Sequence, residues 1–175
     1  FDDRANVHFQ RLEKIYHQYK DENVEIVIEY AKSIVAYIII CTKGKAAQML
    51  RILQDLCNEY QDNMNIYSVL IMRYIKAIHN RLSVVASNRD NDENVDSIFN
   101  NMVRIYDSYK NISPEISLYY TNCLYFMYEI NYRRGYREDC RLIFQTLLSI
   151  RDNDKYAMDH ANKWIMTILK EDRLC

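Results

Sequence analysis

The chain is poor in the residues that bend a backbone: glycine occurs twice and proline once in 175 residues. Sheet and α/β folds use both at their turns, where Gly supplies positive φ and Pro fixes a corner. With so few, the chain cannot turn often, and long helices joined by short polar links are the architecture that remains. Two glycines also cannot build a loop that cradles a nucleotide phosphate. The four histidines, His8, His17, His79 and His160, are scattered. No HExxH, no Cys–His zinc spacing, no GxSxG elbow and no Glu-x-x-His pair for facing helices occurs. The expectation is a non-catalytic chain that needs no cofactor, metal or small-molecule substrate.

Charge of one sign is also missing. The net charge is −1 and the sequence pI about 6.5, whereas a protein living on phosphate backbones carries a basic balance. Nucleic acid is not the expected partner. The most apolar stretch, Val24 to Cys41, carries Glu25, Glu29 and Lys32. Its nearly uncharged part is too short to span a bilayer, so it reads as a buried central helix. The opening Phe1-Asp2-Asp3-Arg4 has no signal-peptide character. The five cysteines are odd in number and none has zinc-pair spacing. They read as reduced core thiols, and an intracellular chain, cytoplasmic or nuclear, is expected.

Apolar residues make up 49% of the chain, and tyrosine alone occurs 16 times. Breaks at Asp21–Asn23, Lys43–Gly44, Asp62–Asn63, Ser87–Asn94, Asn111–Pro114, Gly135 and Arg151–Asp154 separate eight segments of helix length. Each has apolar residues at three- and four-residue spacing. Ser113-Pro114-Glu115 places a capping side chain before proline at the first helical position. Gly44 and Gly135 each follow a basic residue at the end of an apolar segment, as helix-closing glycines do. Ser87–Asn94 is polar throughout and reads as an exposed, mobile loop.

Four segments align without gaps: Asn6–Asp21, Ala47–Asp62, Asp96–Asn111 and Arg137–Asp152. One column reads Phe9, Leu50, Phe99, Cys140; another reads Leu12, Leu53, Met102, Ile143; a third reads Tyr16, Cys57, Tyr106, Leu147. The helices between them, Asn23–Lys43, Met64–Ala86, Pro114–Arg134 and Asp154–Glu171, share a column of Ile34, Tyr74, Leu124 and Trp164. The repeat is a helical hairpin, so the fold expected is all-α: a right-handed stack of antiparallel hairpins, an α-solenoid of about eight helices. Residues 1–175 then form one helical-repeat domain, a module of a larger assembly.

Gly135-Tyr-Arg-Glu-Asp-Cys140-Arg-Leu-Ile143 and Gly44-Lys-Ala-Ala-Gln-Met49-Leu-Arg-Ile52 place a glycine at a turn, then a small or mid-sized residue, then large apolar residues at helical spacing. In this the chain resembles the tetratricopeptide-type helical repeats, with longer helices than that family's usual unit. Tyr37 and Tyr128 stand near the position where the family's first helix has a small residue. The resemblance implies an interaction scaffold that grips a peptide or helix of a partner protein. Candidate contact residues are Tyr74, Tyr125, Tyr132, Arg133, Arg134 and Arg137, because Tyr and Arg dominate interface hot spots. Two other readings are a compact Bcl-2-like bundle around Val24–Cys41 and an RNA-binding helical repeat. The second predicts recurring polar residues in the first helices, and none recur.

Overall fold

The computed structural model describes residues 3–88, 95–111 and 113–171. The chain is all-α: eight helices and no strand among the described residues. In order they are α1 (Asp3–Tyr19), α2 (Val24–Tyr37), α3 (Lys43–Glu59), α4 (Met64–Asn88), α5 (Val95–Tyr109), α6 (Pro114–Arg134), α7 (Arg137–Asn153) and α8 (Met158–Lys170). The chain divides into two compact units, Phe1–Arg81 and Leu82–Cys175.

In the first unit, α1 packs on α2 and α2 on α3. Asn23 starts α2, its Oδ1 accepting from the Glu25 amide at 2.8 Å. Val27, Tyr30, Ala31, Ile34 and Ile38 then form one buried stripe at i, i+3, i+4 spacing. The sequence reading of a wholly buried central helix is corrected here. Val24, Ile39 and Ile40 are exposed, and α2 ends at Tyr37. Ile40 and Cys41 turn back with their amides on the Tyr37 carbonyl.

Gly44 is a second correction. It does not close α2 but lies in the first turn of α3, behind Thr42 in extended conformation. The reversal at Ile38–Cys41 has already stopped the helix, so no left-handed residue is needed at Gly44. Gly135 does play that part: its φ is 78°, and the Tyr136 amide returns to the Asn131 carbonyl at 2.9 Å. It is the one positive-φ glycine.

In the second unit, α5 packs on α6, α6 on α7 and α8, and α7 on α8. Ser113 caps α6 with Pro114 behind it, as read from the sequence: its Oγ accepts from the Glu115 amide at 3.3 Å. Met102, Ile116, Cys123, Leu124, Tyr128 and Leu147 fill the core. Residues 89–94 of the polar stretch lie outside the described residues, while Ser87 and Asn88 continue α4.

The two units repeat one design. Phe9, Tyr16, Lys20, Asn23 and Tyr30 correspond to Phe99, Tyr106, Lys110, Ser113 and Tyr120, a constant offset of 90 from 9 to 99 onward. Tyr16 stacks on Tyr30 with centroids 4.3 Å apart, and Tyr106 on Tyr120 at 4.0 Å. Phe9 lies 5.9 Å from Tyr30 and Phe99 6.2 Å from Tyr120. Lys20 sits over the Tyr16 ring and Lys110 over the Tyr106 ring. Both capping residues accept from the amide two positions on. Beyond α6 the offset becomes 94: α3 starts at 43 and α7 at 137, α4 at 64 and α8 at 158.

That shift corrects the sequence alignment of α3 with α7 by one turn. The helix limits and the burial of Ala46, Met49, Leu53 and Leu56 pair these residues with Cys140, Ile143, Leu147 and Ile150. Leu53, Met102 and Ile143 are all buried, as the shared column requires, but its first member, Leu12, is 37% exposed.

Candidate functional site

The Gly135 turn carries most of the residues singled out in the sequence. Its backbone brings Tyr132, Arg133, Arg134 and Arg137 to one end of α6, and each cation has an intramolecular role. Arg133 donates from Nε to the Glu129 carbonyl at 3.1 Å and from Nη2 to the Val85 carbonyl at 3.3 Å. The Val85 carbonyl is one of those that the end of α4 leaves open, while the Glu129 carbonyl lies within α6. Arg134 Nη1 lies 3.5 Å from Asp96 Oδ2. The Arg137 guanidinium covers the Tyr132 ring at 4.5 Å, and Tyr132 stacks on Tyr128 at 6.2 Å. Arg141 pairs with Glu138 one turn along, and that partner holds the exposed Glu138 carboxyl below its ordinary value. Arg133 and Arg137 are exposed, whereas Tyr132 is half-buried beneath the Arg137 guanidinium and Arg134 is half-buried.

Tyr125 and Tyr74 are placed elsewhere. Tyr125 stacks on Trp164 at 4.0 Å and 10°, and Trp164 Nε1 donates to Asn122 Oδ1 at 2.9 Å. The pair staples α8 onto α6. Tyr74 is 4% exposed, with its hydroxyl 3.4 Å from Gln54 Oε1. Its choice as a partner-contact residue does not fit this burial: Tyr74 is a core residue of the first unit.

Sequence reading missed a cleft that occurs in both units. In the second unit it has a volume of about 510 Å³ and is walled by Tyr106 and Tyr120, with Asp107, Thr146, Ser149 and Asn153 on its rim. In the first unit the volume is about 280 Å³, with Tyr16 and Tyr30 behind His17, Ile52, Asp55 and Glu59. These residues correspond one to one at the offsets of 90 and 94. The signal for it was in the sequence, in the paired tyrosines 14 positions apart at 16 and 30 and again at 106 and 120.

The electrostatics of the clefts differ. Tyr30 donates to Glu13 Oε1 at 3.3 Å, and Tyr106 donates to Asp154 Oδ2 at 3.1 Å. Burial, and then the adjoining carboxylate, pushes both phenols well up; burial pushes Tyr120 up to about 12. Burial also raises the Asp154 carboxyl. The Ser117 hydroxyl, the Tyr156 and Ala157 amides and the Tyr106 hydroxyl outweigh it and hold the group below its ordinary value. The Ser117 contribution is the loosest, since its Oγ lacks a partner of full hydrogen-bond geometry. Glu13, Asp55 and Glu59 leave the first cleft acidic apart from Lys20, which pairs with Glu59 at 3.4 Å.

Cys57, Cys123 and Cys140 are buried free thiols and Cys41 is a half-buried one. Burial pushes Cys57 up to about 12 and Cys123 further. Among the described residues no three His, Cys, Asp or Glu side chains are grouped to hold a metal ion, and no helix is long and apolar enough to cross a membrane. The chain matches no protein-family model, no curated protein and no solved structure.

Proposed function

We propose that this chain is a non-catalytic interaction scaffold, a long-helix relative of the tetratricopeptide-type repeats, whose hairpins hold a peptide or helix of another protein within an intracellular, multi-subunit complex. The observation that carries this reading is the recurrence of one open, tyrosine-walled cleft at the same place in both units. A repeated surface binds an extended segment at successive points. Tyr supplies large contact area at low entropic cost. The raised thiols and phenols favour this reading over nucleophilic chemistry, which needs lowered pKa values. At the Gly135 turn, Tyr132 and Arg137 offer a second contact of hot-spot type.

The test is affinity capture from native extract with mass spectrometry, followed by hydrogen exchange on the reconstituted complex. Wild type should retain a defined protein that protects residues around Tyr106 and Ser149. Ser149→Arg with Asn153→Arg, both at exposed rim positions, should lose it while circular dichroism stays unchanged. Tyr132→Ala with Arg137→Ala serves as the second arm. Arg133 is left intact because its loss would remove the guanidinium donor from the Val85 carbonyl at the end of α4. Full retention by both double variants would remove these surfaces from the proposal.

A further inference from the structure

The two tyrosine-walled clefts share a frame and differ in charge. At the offsets of 90 and 94, Glu13, Asp55 and Glu59 of the first cleft stand where the second unit has Val103, Ser149 and Asn153. Glu13 comes from α1, and its Oε1 accepts from the Tyr30 hydroxyl at 3.3 Å, which orients the carboxyl. Asp55 and Glu59 lie one turn apart on α3, both exposed. Like charges at i and i+4 cost a helix stability, and a cation between them removes that cost. Among the described residues, the lining of the first cleft holds these three carboxylates and no lysine or arginine; that of the second holds Asp107 and Asp154 together with Lys110 and Lys155. Lys20, at the rim of the first cleft, shows how a cation sits there. Its Nζ lies 3.4 Å from Glu59 Oε1 and 5.9 Å from the centroid of the Tyr16 ring, within range of the ring's electrostatic attraction. Lys110 keeps the ring contact in the second unit, 5.1 Å from the Tyr106 centroid, but Asn153 stands in place of the carboxylate. The first cleft measures about 280 Å³, just below the usual range of small-molecule pockets, and so suits one long side chain.

We infer that the first cleft takes the side chain of a lysine or arginine of the partner segment, its cation held by Asp55 and Glu59 of α3 and Glu13 of α1. The inference rests on the scaffold reading and adds the chemistry of one partner residue. The second cleft, with its charges balanced, makes no such demand, so the two clefts share a shape and differ in what they select. Lys20 is a built-in competitor: it holds Glu59, and the incoming cation must share or take that carboxylate.

Amide NMR of the full chain, titrated with short acetylated and amidated peptides of alternating alanine and lysine, tests this. A companion peptide carries acetyl-lysine in place of lysine, and another carries glutamate. The lysine peptide should shift amides around His17, Asp55 and Glu59, the acetyl-lysine peptide should bind more weakly, and the glutamate peptide should leave these amides unmoved. Asp55→Asn with Glu59→Gln should weaken the lysine peptide about fivefold, the loss of two exposed ion pairs. Glu138→Gln with Asp139→Asn removes the same charge from exposed positions of the other unit and should change nothing, which separates the cleft from general attraction. Lys20→Met should act in the opposite sense and tighten the lysine peptide. Absent shifts at the first cleft, equal binding of lysine and acetyl-lysine peptides, an Asp55 and Glu59 variant that binds as wild type does, an equal loss in the Glu138 and Asp139 control, or a Lys20→Met variant that binds no tighter would each overturn the inference. Capture from native extract judges the scaffold reading separately: a chain that fails these titrations yet retains its protein loses only the basic residue, whereas one that retains no protein loses the scaffold reading itself.

Discussion

The two glycines give opposite answers to the same substitution. Gly135 closes α6 with φ 78°, and an added Cβ there meets nothing within 4 Å. The cost of Gly135→Ala is thus the backbone cost alone, about 1–2 kcal/mol for an L-residue held left-handed. Asn tolerates that region better than Ala, so Gly135→Asn should recover part of the loss. Gly44 also has open space around its Cβ position but no positive φ, and it lies in the first turn of α3. Gly44→Ala removes freedom from the unfolded chain without straining the native one and should stabilise by about 0.4–1 kcal/mol. Denaturant unfolding with a common slope reads both as midpoint shifts. Native-state hydrogen exchange assigns each shift to its own unit, amides of α6 and α7 for Gly135 and of α2 and α3 for Gly44. A Gly135→Ala variant as stable as wild type, or Asn and Ala variants at 135 of equal stability, would refute a left-handed closure of α6 at this residue.

In the core, Leu53→Ala and Leu147→Ala should each cost roughly 2–5 kcal/mol, while Leu12→Ala costs well under half of that; a small loss at Leu147 would undo the pairing of α3 with α7, and a core-sized loss at Leu12 would contradict its exposure. Trp164 is the only tryptophan, so its emission should shift to longer wavelength in Tyr125→Ala, and Asn122→Ala should lower stability by about 0.5–1.5 kcal/mol through the lost indole hydrogen bond. Thiol titration of native protein at pH 8 should find Cys57, Cys123 and Cys140 protected and Cys41 reacting slowly, and all five thiols of the chain should react at once in denaturant; fast native labelling of Cys123 would contradict its burial. Burial pushes His79 below its ordinary 6.5, with the Asn80 side chain opposing. Below 6.5 the unfolded chain therefore holds more protons than the folded one, and stability should fall as pH drops from there to the lowered value and then level off. His79→Gln should flatten that segment of the pH–stability curve; an unaltered slope would exclude the residue.

The sequence by itself determined the secondary structure and the internal likeness of the two units. Scarce Gly and Pro left only helices. The caps at Asn23 and Ser113 and the closure at Gly135 are local events, set by side chains two to four residues from the groups they satisfy. The alignment of Phe9 with Phe99 and Tyr16 with Tyr106 already held the 90-residue repeat. What it could not fix was register along a helix. Four residues advance an α-helix by little more than one turn, so a shift of four leaves an apolar stripe almost in place, and Leu53 can be matched with Ile143 or with Leu147 equally well. Only the observed helix limits and burial choose Leu147.

Tertiary structure also decided exposure, because burial depends on a neighbour and not on the residue. The same periodicity puts Leu12 in the open and Met102 in the core, and it buries Tyr74 while leaving Ile39 and Ile40 exposed. The arginines at 133, 134 and 137 look alike in sequence. Partners 48 and 38 positions away, the Val85 carbonyl and Asp96, and the nearby Tyr132 ring give each a different role. The paired clefts are likewise decided by tertiary structure, since each is assembled from three helices that meet only once the hairpins have packed.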